Sequence, residues 1–251
     1  MTAIFRLGFK NVLGSNWTLT RHRWPGRAVM LDREMNGPDG MRASVYFLVE
    51  VNQRPERRSL ATILPGWEVV RSPHGHNDAY SDPAVHRQIG WQEIALGTRT
   101  RQQRYVTIAR YEHRDSGVEW TGATTHLSSS VHTTAEKAES SRTIQGTRLA
   151  ELCVEHSIDV MAGDINNIAV RPDTPRGILE AAGYVDWRAA TQVVDADHAV
   201  HHRIGEPVPR TGRHLDAIYV SPRVTVLDGR VQTTEPDSSD HLGLVCTLSI
   251  G

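Results

Sequence analysis

Lysine is almost missing from this sequence. It occurs only at Lys10 and Lys137, so nearly all of the 28 basic side chains are arginines. Arginine suits bidentate phosphate contacts, although a GC-rich genome produces the same bias. A surplus of charge is missing too: 28 basic residues meet 29 acidic ones, for a formal net charge of −1. A general polyanion binder carries a basic excess, so any contact with nucleic acid must rely on a local basic patch, a metal ion, or both. Cysteine is scarce, with only Cys153 and Cys246. Two thiols make no disulfide framework, and one sits in a helical pattern and the other in a strand pattern, as small buried apolar residues do. There is no Cys/His cluster of zinc spacing. No basic start followed by an apolar run marks a signal peptide, and no segment approaches the roughly 20 apolar residues needed to span a bilayer. The expectation is a soluble, cytoplasmic chain, monomeric by default.

What is present is ordinary globular material, 39% hydrophobic and 23% charged over 251 residues, enough for a sizeable core. Strand patterns are expected over residues 3–13, 43–51, 67–70, 88–96, 104–111, 118–125, 158–162, 215–220, 224–227 and 243–250. The run 43–51 is apolar almost throughout, as in a strand covered on both faces. Helical spacing appears over 27–35, 56–64, 134–156 and 176–182, the last closed by Gly183. His113-Arg114-Asp115-Ser116-Gly117 reads as a hairpin turn, and 72–85 and 186–213 read as loops. No composition shift or linker interrupts the chain, so residues 1–251 are expected to form one domain.

Several strands end in Asn, Asp, Glu or His where the apolar pattern would otherwise continue. Asn11 lies in the first strand, Glu50 follows Phe47-Leu48-Val49, and His126 follows Thr124-Thr125. Asp164 and Asn166 follow Val160-Met161-Ala162-Gly163, Asp216 opens Ile218-Tyr219-Val220, and Asp240 and His241 precede Gly243-Leu244-Val245. A charge beside a buried strand is costly unless it is paired or bound to a metal. One such residue is unremarkable; this many at strand ends point to one shared site. Carboxylate and amide oxygens suit hard cations such as Mg²⁺ or Mn²⁺, and the chemistry that fits is phosphate-ester hydrolysis, in which a metal neutralises phosphoryl charge and a carboxylate or imidazole handles the proton.

The ordered set Lys10-Asn11-Val12-Leu13, Val49-Glu50-Val51, Thr125-His126-Leu127, Gly163-Asp164-Ile165-Asn166, His214-Leu215-Asp216-Ala217-Ile218 and Ser239-Asp240-His241 resembles the endonuclease/exonuclease/phosphatase (DNase I-like) superfamily. The resemblance implies an α+β fold, a four-layer α/β/β/α sandwich of two mostly antiparallel sheets with the site at one edge. It implies Glu50 as principal metal ligand with Asn11 beside it, and Asp240 as a further ligand or metal-water contact. Asp164 is implied to orient or deprotonate the attacking water, Asn166 to bond the phosphate, Asp216 to fix the tautomer of His241, and His241 and His126 to contact phosphate oxygens. Two positions depart from the family pattern: Leu13 stands where some nucleases have an acidic residue, and Val49 where a Gln usually precedes the metal Glu.

Other residues read more plainly. Asp195, Asp197, His198, His201 and His202 read as a solvated loop, with a second metal site as the alternative, His74, His76 and Asp78 fit a loop at a pocket rim, and Trp17, Trp67, Trp91, Trp120 and Trp187 fit a core. Arg54, Arg57, Arg99, Arg101 and Arg104 would make an Arg-rich rim, with Arg54 or Arg57 a competing partner for Glu50. The expected activity is Mg²⁺- or Mn²⁺-dependent hydrolysis of phosphodiesters, with nucleic acid the leading substrate. The alternatives are a small or lipid phosphate ester (a phosphomonoester, an inositol phosphate or a phospholipid headgroup) and a non-catalytic binding module of the same fold.

Overall fold

A computed structural model describes residues 1–14, 23–52, 54–98, 103–131 and 133–251. In chain order the elements are β1 (Ala3–Asn11), α1 (Trp24–Asn36), β2 (Val45–Val49), α2 (Arg54–Ile63), β3 (Glu68–Val70), β4 (Asn77–Ser81), β5 (His86–Ala95), β6 (Tyr105–His113), β7 (Glu119–His126), α3 (Ala135–Glu155), β8 (Val160–Asp164), α4 (Pro175–Ala181), β9 (Val185–Asp186), α5 (Trp187–Ala190), β10 (Val193–Val194), β11 (Asp216–Val220), β12 (Val224–Gln232) and β13 (Gly243–Ile250). They form two sheets, ordered β10-β12-β13-β1-β2-β4-β3 and β5-β6-β7-β8-β11-β9. Antiparallel pairs dominate, while β1–β2, β7–β8 and β10–β12 run parallel.

Three apolar clusters mark the three contacts between four layers. Between the sheets lie Phe5, Leu7 and Phe9 of β1, Val45, Phe47 and Val49 of β2, Val160 and Ala162 of β8, and Ile218 of β11, with Trp120 and Trp187. Under α1 and α2 lie Tyr46 and Leu48 of β2 with Leu31, Met35 and Leu60. Under α3 and α4 lie Val106, Ile108, Met161 and Tyr219 with Leu149, Leu152 and Leu179. Strand side chains alternate between faces, so a strand covered on both sides must be apolar at every position, which is why β2 reads as an unbroken hydrophobic run. Fully burying each large apolar side chain contributes about 1.5–3 kcal/mol. The layers are those of the expected α/β/β/α sandwich.

Local signals set the helix ends. Thr134 caps α3, its hydroxyl accepting from the Lys137 amide at 3.3 Å, and proline sits in the first turn of α1 and α4. Gly183, at φ +89 just beyond α4, takes the left-handed conformation that a helix stop requires. Three expectations are corrected. The polar stretch 72–85 contains β4, which pairs with β2 from Val45↔Ser81 to Val49↔Asn77. Its Asn77 and Asp78 hide strand character because their side chains are buried and bonded at an end of the sheet. The stretch 186–213 contains α5 and β10 and an antiparallel bridge between His201 and His241. Trp91 is 49% exposed on the edge strand β5, whereas Trp120 and Trp187 are buried and Trp67 packs partly buried on the α1/α2 side. Trp17, Arg99 and Arg101 lie outside the described residues. Both cysteines are free and buried. Among the described residues no helix is long and apolar enough to cross a membrane.

Candidate active site

Strand parity brings the polar strand ends together. Along β1 the inward positions Phe5, Leu7 and Phe9 are followed by Asn11; along β8, Val160 and Ala162 are followed by Asp164; along β11, Asp216 precedes Ile218. The register then sets His126 of β7 opposite Asp164 and Asp216 opposite Asp164. One end of the space between the sheets is therefore lined by polar groups where the next apolar layer would stand. Gly163 permits the close approach of β7 and β8, since a Cβ there would lie 2.5 Å from the carbonyl oxygen of Thr125.

The side chains are within contact of one another. Asn11 Nδ2 donates to Glu50 Oε1 and to Asp164 Oδ2, each at 3.1 Å, while its oxygen accepts from the Leu13 amide at 3.0 Å. Asn11 thus ties two carboxylates together with its amide nitrogen. Glu50 Oε2 accepts from the Gly14 amide at 3.3 Å. His126 lies with Nε2 3.5 Å from Asp164 Oδ2 and Nδ1 3.8 Å from Glu50 Oε1. His241 Nδ1 is 2.9 Å from Asp216 Oδ2 and its Nε2 is 3.8 Å from Asp164 Oδ2. The Asn166 amide nitrogen donates to Leu127 O at 3.1 Å, and its backbone N–H donates to Asp164 Oδ1 at 3.0 Å. Asp240, half-buried, stands within electrostatic reach of Glu50 and His241.

The two histidines carry different charges. Burial opposes protonation of both. At His241 the Asp216, Asp164 and Asp240 carboxylates overcome it and raise the pKa to about 10, so the ring is an imidazolium with Nδ1–H held by Asp216. At His126 burial is joined by Arg104 and His241, and the pKa falls well below its usual value. Its contacts with Glu50 and Asp164 are therefore those of a neutral ring. Burial and the nearby Asp216 lift Asp164 to about 6, and burial raises Glu50 above the usual carboxylate range.

Backbone strain gathers at the same end. Leu13, Glu50 and Asn166 have φ of +48, +63 and +51, a left-handed region that costs a non-glycine residue about 1–3 kcal/mol. Glu50 and Asn166 are themselves site residues, and Leu13 is two residues beyond Asn11. Arg27 of α1 donates to Val12 O at 3.1 Å and Leu13 O at 2.7 Å, fixing the turn after Asn11. Buried Arg176 of α4 donates to Asn167 O, His214 O and Asp186, bracing the segments that carry Asn166 and Asp216. Buried Glu34 accepts from Lys10 Nζ at 2.7 Å, from the Ser238 hydroxyl and from the Gly243 amide, so it holds both ends of the segment bearing Asp240 and His241.

All eight residues singled out in the sequence lie at this end of the sandwich. The rim is different from the expected one. Arg54 is exposed on α2, and Arg57 turns to Asp78 at 3.8 Å. Neither pairs with Glu50. His74 bonds to Glu93 at 2.7 Å and stacks on Tyr105. Arg104 lies close enough to Asp164 and Glu50 to feel both charges, and Arg142 of α3 feels Asp164 while donating to Ser128 O at 3.0 Å. Arg142 carried no local signal, since it occupies one position in a helical pattern. The loop histidines are corrected as well: His202 is buried, and His201 sits beside Asp240 and His241, with its ring 5.0 Å from that of His241.

The residues fit a divalent cation. Glu50 and Asp164 are forced together with raised pKa values in a low-dielectric pocket, and a cation among them would relieve that repulsion. The donors on this side are oxygens, the chemistry of Mg²⁺ or Mn²⁺. No protein-family model and no curated relative matches the chain. Solved structures do match in fold. An endonuclease/exonuclease/phosphatase family protein from Bacteroides thetaiotaomicron is 14% identical at TM-score 0.84, over 100% of this chain and 99% of that one. A mannosyl-6-phosphatase from the same species is 14% identical at TM-score 0.76, over 97% and 98%. TDP2 of D. rerio, complexed with single strand DNA product, is 17% identical at TM-score 0.72, over 98% and 99%. The fold is the endonuclease/exonuclease/phosphatase, DNase I-like fold.

Proposed function

We propose that this protein is a divalent-cation-dependent phosphoesterase, that it hydrolyses phosphodiester bonds, and that nucleic acid is its substrate. The observation that carries the reading is the meeting of Asp164, the Asp216–His241 pair and the Asn11–Glu50 pair at one polar end of the sandwich. A scaffold needs none of these buried charges, and each is costly without a chemical use. The fold shared with a neighbour complexed with single strand DNA product supports the choice of substrate.

The roles follow from the charges. Asp164, with its pKa lifted to about 6, is ionised at neutral pH and close to the range in which a base is most effective. It accepts the proton of the attacking water, which displaces the leaving oxygen in line without a covalent enzyme intermediate. His241 keeps Nδ1–H on Asp216 and turns its cationic Nε2–H toward a phosphoryl oxygen, stabilising the charge that develops there. Neutral His126 and Asn166 orient the phosphate, and Arg104 and Arg142 add positive charge around it. Glu50, with Asn11 and Asp240, would hold a Mg²⁺- or Mn²⁺-class cation, which supplies Lewis-acid neutralisation of the phosphoryl group.

A second reading has its own support. Arg104 and Arg142 both lie within electrostatic reach of Asp164, which favours a phosphomonoester dianion, and a mannosyl-6-phosphatase shares the fold. Hydrolysis of plasmid DNA, single-stranded oligonucleotide, bis-p-nitrophenyl phosphate and p-nitrophenyl phosphate, each with Mg²⁺, Mn²⁺ or EDTA, separates the two. Metal-dependent cleavage of DNA, lost in an Asp164→Ala, His241→Ala double variant, is the expected result. Turnover of the monoester alone replaces it with the second reading, and no turnover of any substrate with metal present counts against both.

A further inference from the structure

His201, Asp240 and His241 form a cluster that the proposed hydrolysis does not use as a unit. Their ligand atoms, one per residue, all lie within 4.8 Å of one another, and His201 Nε2 is 3.8 Å from Asp240 Oδ2. The arrangement is built by the backbone. The His202 amide donates to Asp240 O at 2.8 Å and the Leu242 amide to Val200 O at 2.7 Å. These two bonds flank the bridge between His201 and His241, making it a non-hydrogen-bonded antiparallel pair, whose side chains stand side by side on one face. The rings accordingly meet edge to face at 5.0 Å.

We infer that these three residues are a binding site for a transition-metal cation of the Zn²⁺ class, adjoining the oxygen-lined position at Glu50 and sharing Asp240 with it. Two imidazoles and a carboxylate are a zinc donor set, and with three protein ligands a fourth position stays open. Asp216 on Nδ1 of His241 is the carboxylate that commonly backs a metal-bound imidazole and leaves Nε2 as the ligand atom. Donors on one tetrahedral ion, bound at about 2.0–2.1 Å, lie roughly 3.4 Å apart, so the cluster needs a closure of about an ångström. His201, 38% exposed at its side chain, has the freedom to make it. Mg²⁺ prefers oxygen donors and gains little here. Occupation displaces the Nε2 proton of His241 to solvent and takes that nitrogen away from the phosphoryl group, so the ion inhibits hydrolysis. That consequence rests on the proposed function; the binding does not.

Zn²⁺ titration of the metal-free protein, followed by calorimetry and by competition with a chromophoric chelator, tests the site without substrate. Wild type and Glu50→Gln are expected to bind one Zn²⁺ with equal affinity, and His201→Ala and His201→Gln to bind it about 10–100-fold more weakly, a loss on the scale seen when a metal site's support is removed. Co²⁺ in place of Zn²⁺ should give a tetrahedral visible spectrum in wild type and not in His201→Ala. Equal binding by wild type and the His201 variants overturns the site, and so does loss of binding in Glu50→Gln alone. With Mg²⁺ present, Zn²⁺ should inhibit wild type and spare His201→Ala, each compared with its own rate without Zn²⁺. A protein that turns over nothing yet binds Zn²⁺ through His201 removes the proposed function and leaves the site standing.

Discussion

Two buried histidines stand at opposite ends of the space between the sheets and carry opposite charge states. His241 lies at the polar end, with three carboxylates around it, and its pKa rises to about 10. His86 lies at the far end among Phe5, Tyr111, His113 and Trp120, and its pKa falls to about 3. Burial favours the neutral ring in both. The neighbours decide: carboxylates hold the proton on one, and aromatic rings offer the other nothing to offset the lost hydration. Around His86 the bonding fixes the tautomer. The Trp120 indole can only donate, and it donates to Nδ1 at 3.4 Å, so Nε2 carries the hydrogen and donates to Ser44 Oγ at 3.0 Å.

The comparison can be broken hardest at its polar end. Asp216→Asn removes the charge that keeps His241 protonated, and kcat for phosphoester hydrolysis should fall about 10²- to 10³-fold, the usual weight of one donor that stabilises developing charge, with circular dichroism unchanged. A loss of only a fewfold would refute the assigned role of the pair. Glu34→Ala leaves Lys10 buried without its partner and should destabilise the fold by about 3–5 kcal/mol in urea unfolding. It should also loosen the segment bearing Asp240 and His241.

The two histidines predict opposite pH dependences of stability. For His86 the unfolded ring binds its proton near pH 6.5 and the folded ring only near 3. The unfolded state holds more protons between those values, so stability falls on acidification through that window, by at most about 1.4 kcal/mol per pH unit. For His241 the folded state holds the proton up to about pH 10. Its contribution is complete below pH 6.5 and is lost as the pH rises toward 10. Urea unfolding in EDTA across pH 4–10 measures both. His86→Gln should flatten only the acid limb, and the same acid limb in that variant would show that His86 is not its source. The smallest effect belongs to Ser44→Ala, which deprives the His86 Nε2–H of its acceptor and should cost about 1–3 kcal/mol, the penalty of a buried unsatisfied donor.

The polar end was the more legible of the two. Asn11, Glu50, His126, Asp164, Asn166, Asp216, Asp240 and His241 each interrupt an apolar pattern at a strand end, and interruption is a local signal. The strand parity that turns most of them inward is local too. The aromatic end gave no such signal, because His86 and His113 look like ordinary polar residues beside turns. Strand β4 was missed because Asn77 and Asp78 are buried and bonded, Asn77 Nδ2 to Tyr105 O and the Ser72 amide to Asp78 Oδ1, through contacts that periodicity does not report. Arg142 was missed, and His201 was read first as part of a solvated loop, for a related reason: each reaches the site from a segment whose own pattern is that of an ordinary helix or loop.

Alternation of side chains along the backbone is a property of a few consecutive residues, so the strands and the list of polar strand ends can be read from the chain, while the four layers were implied by the resemblance of the ordered motifs. Charge state is not local. His86, His126 and His241 are chemically the same side chain, and which one is cationic depends on groups tens to hundreds of residues away that folding brings within a few ångströms. The same holds for the partners of Lys10 and Glu34, and for the bridge that carries His201 to His241. Those follow from register and packing, where a low-dielectric interior makes each neighbour's charge count.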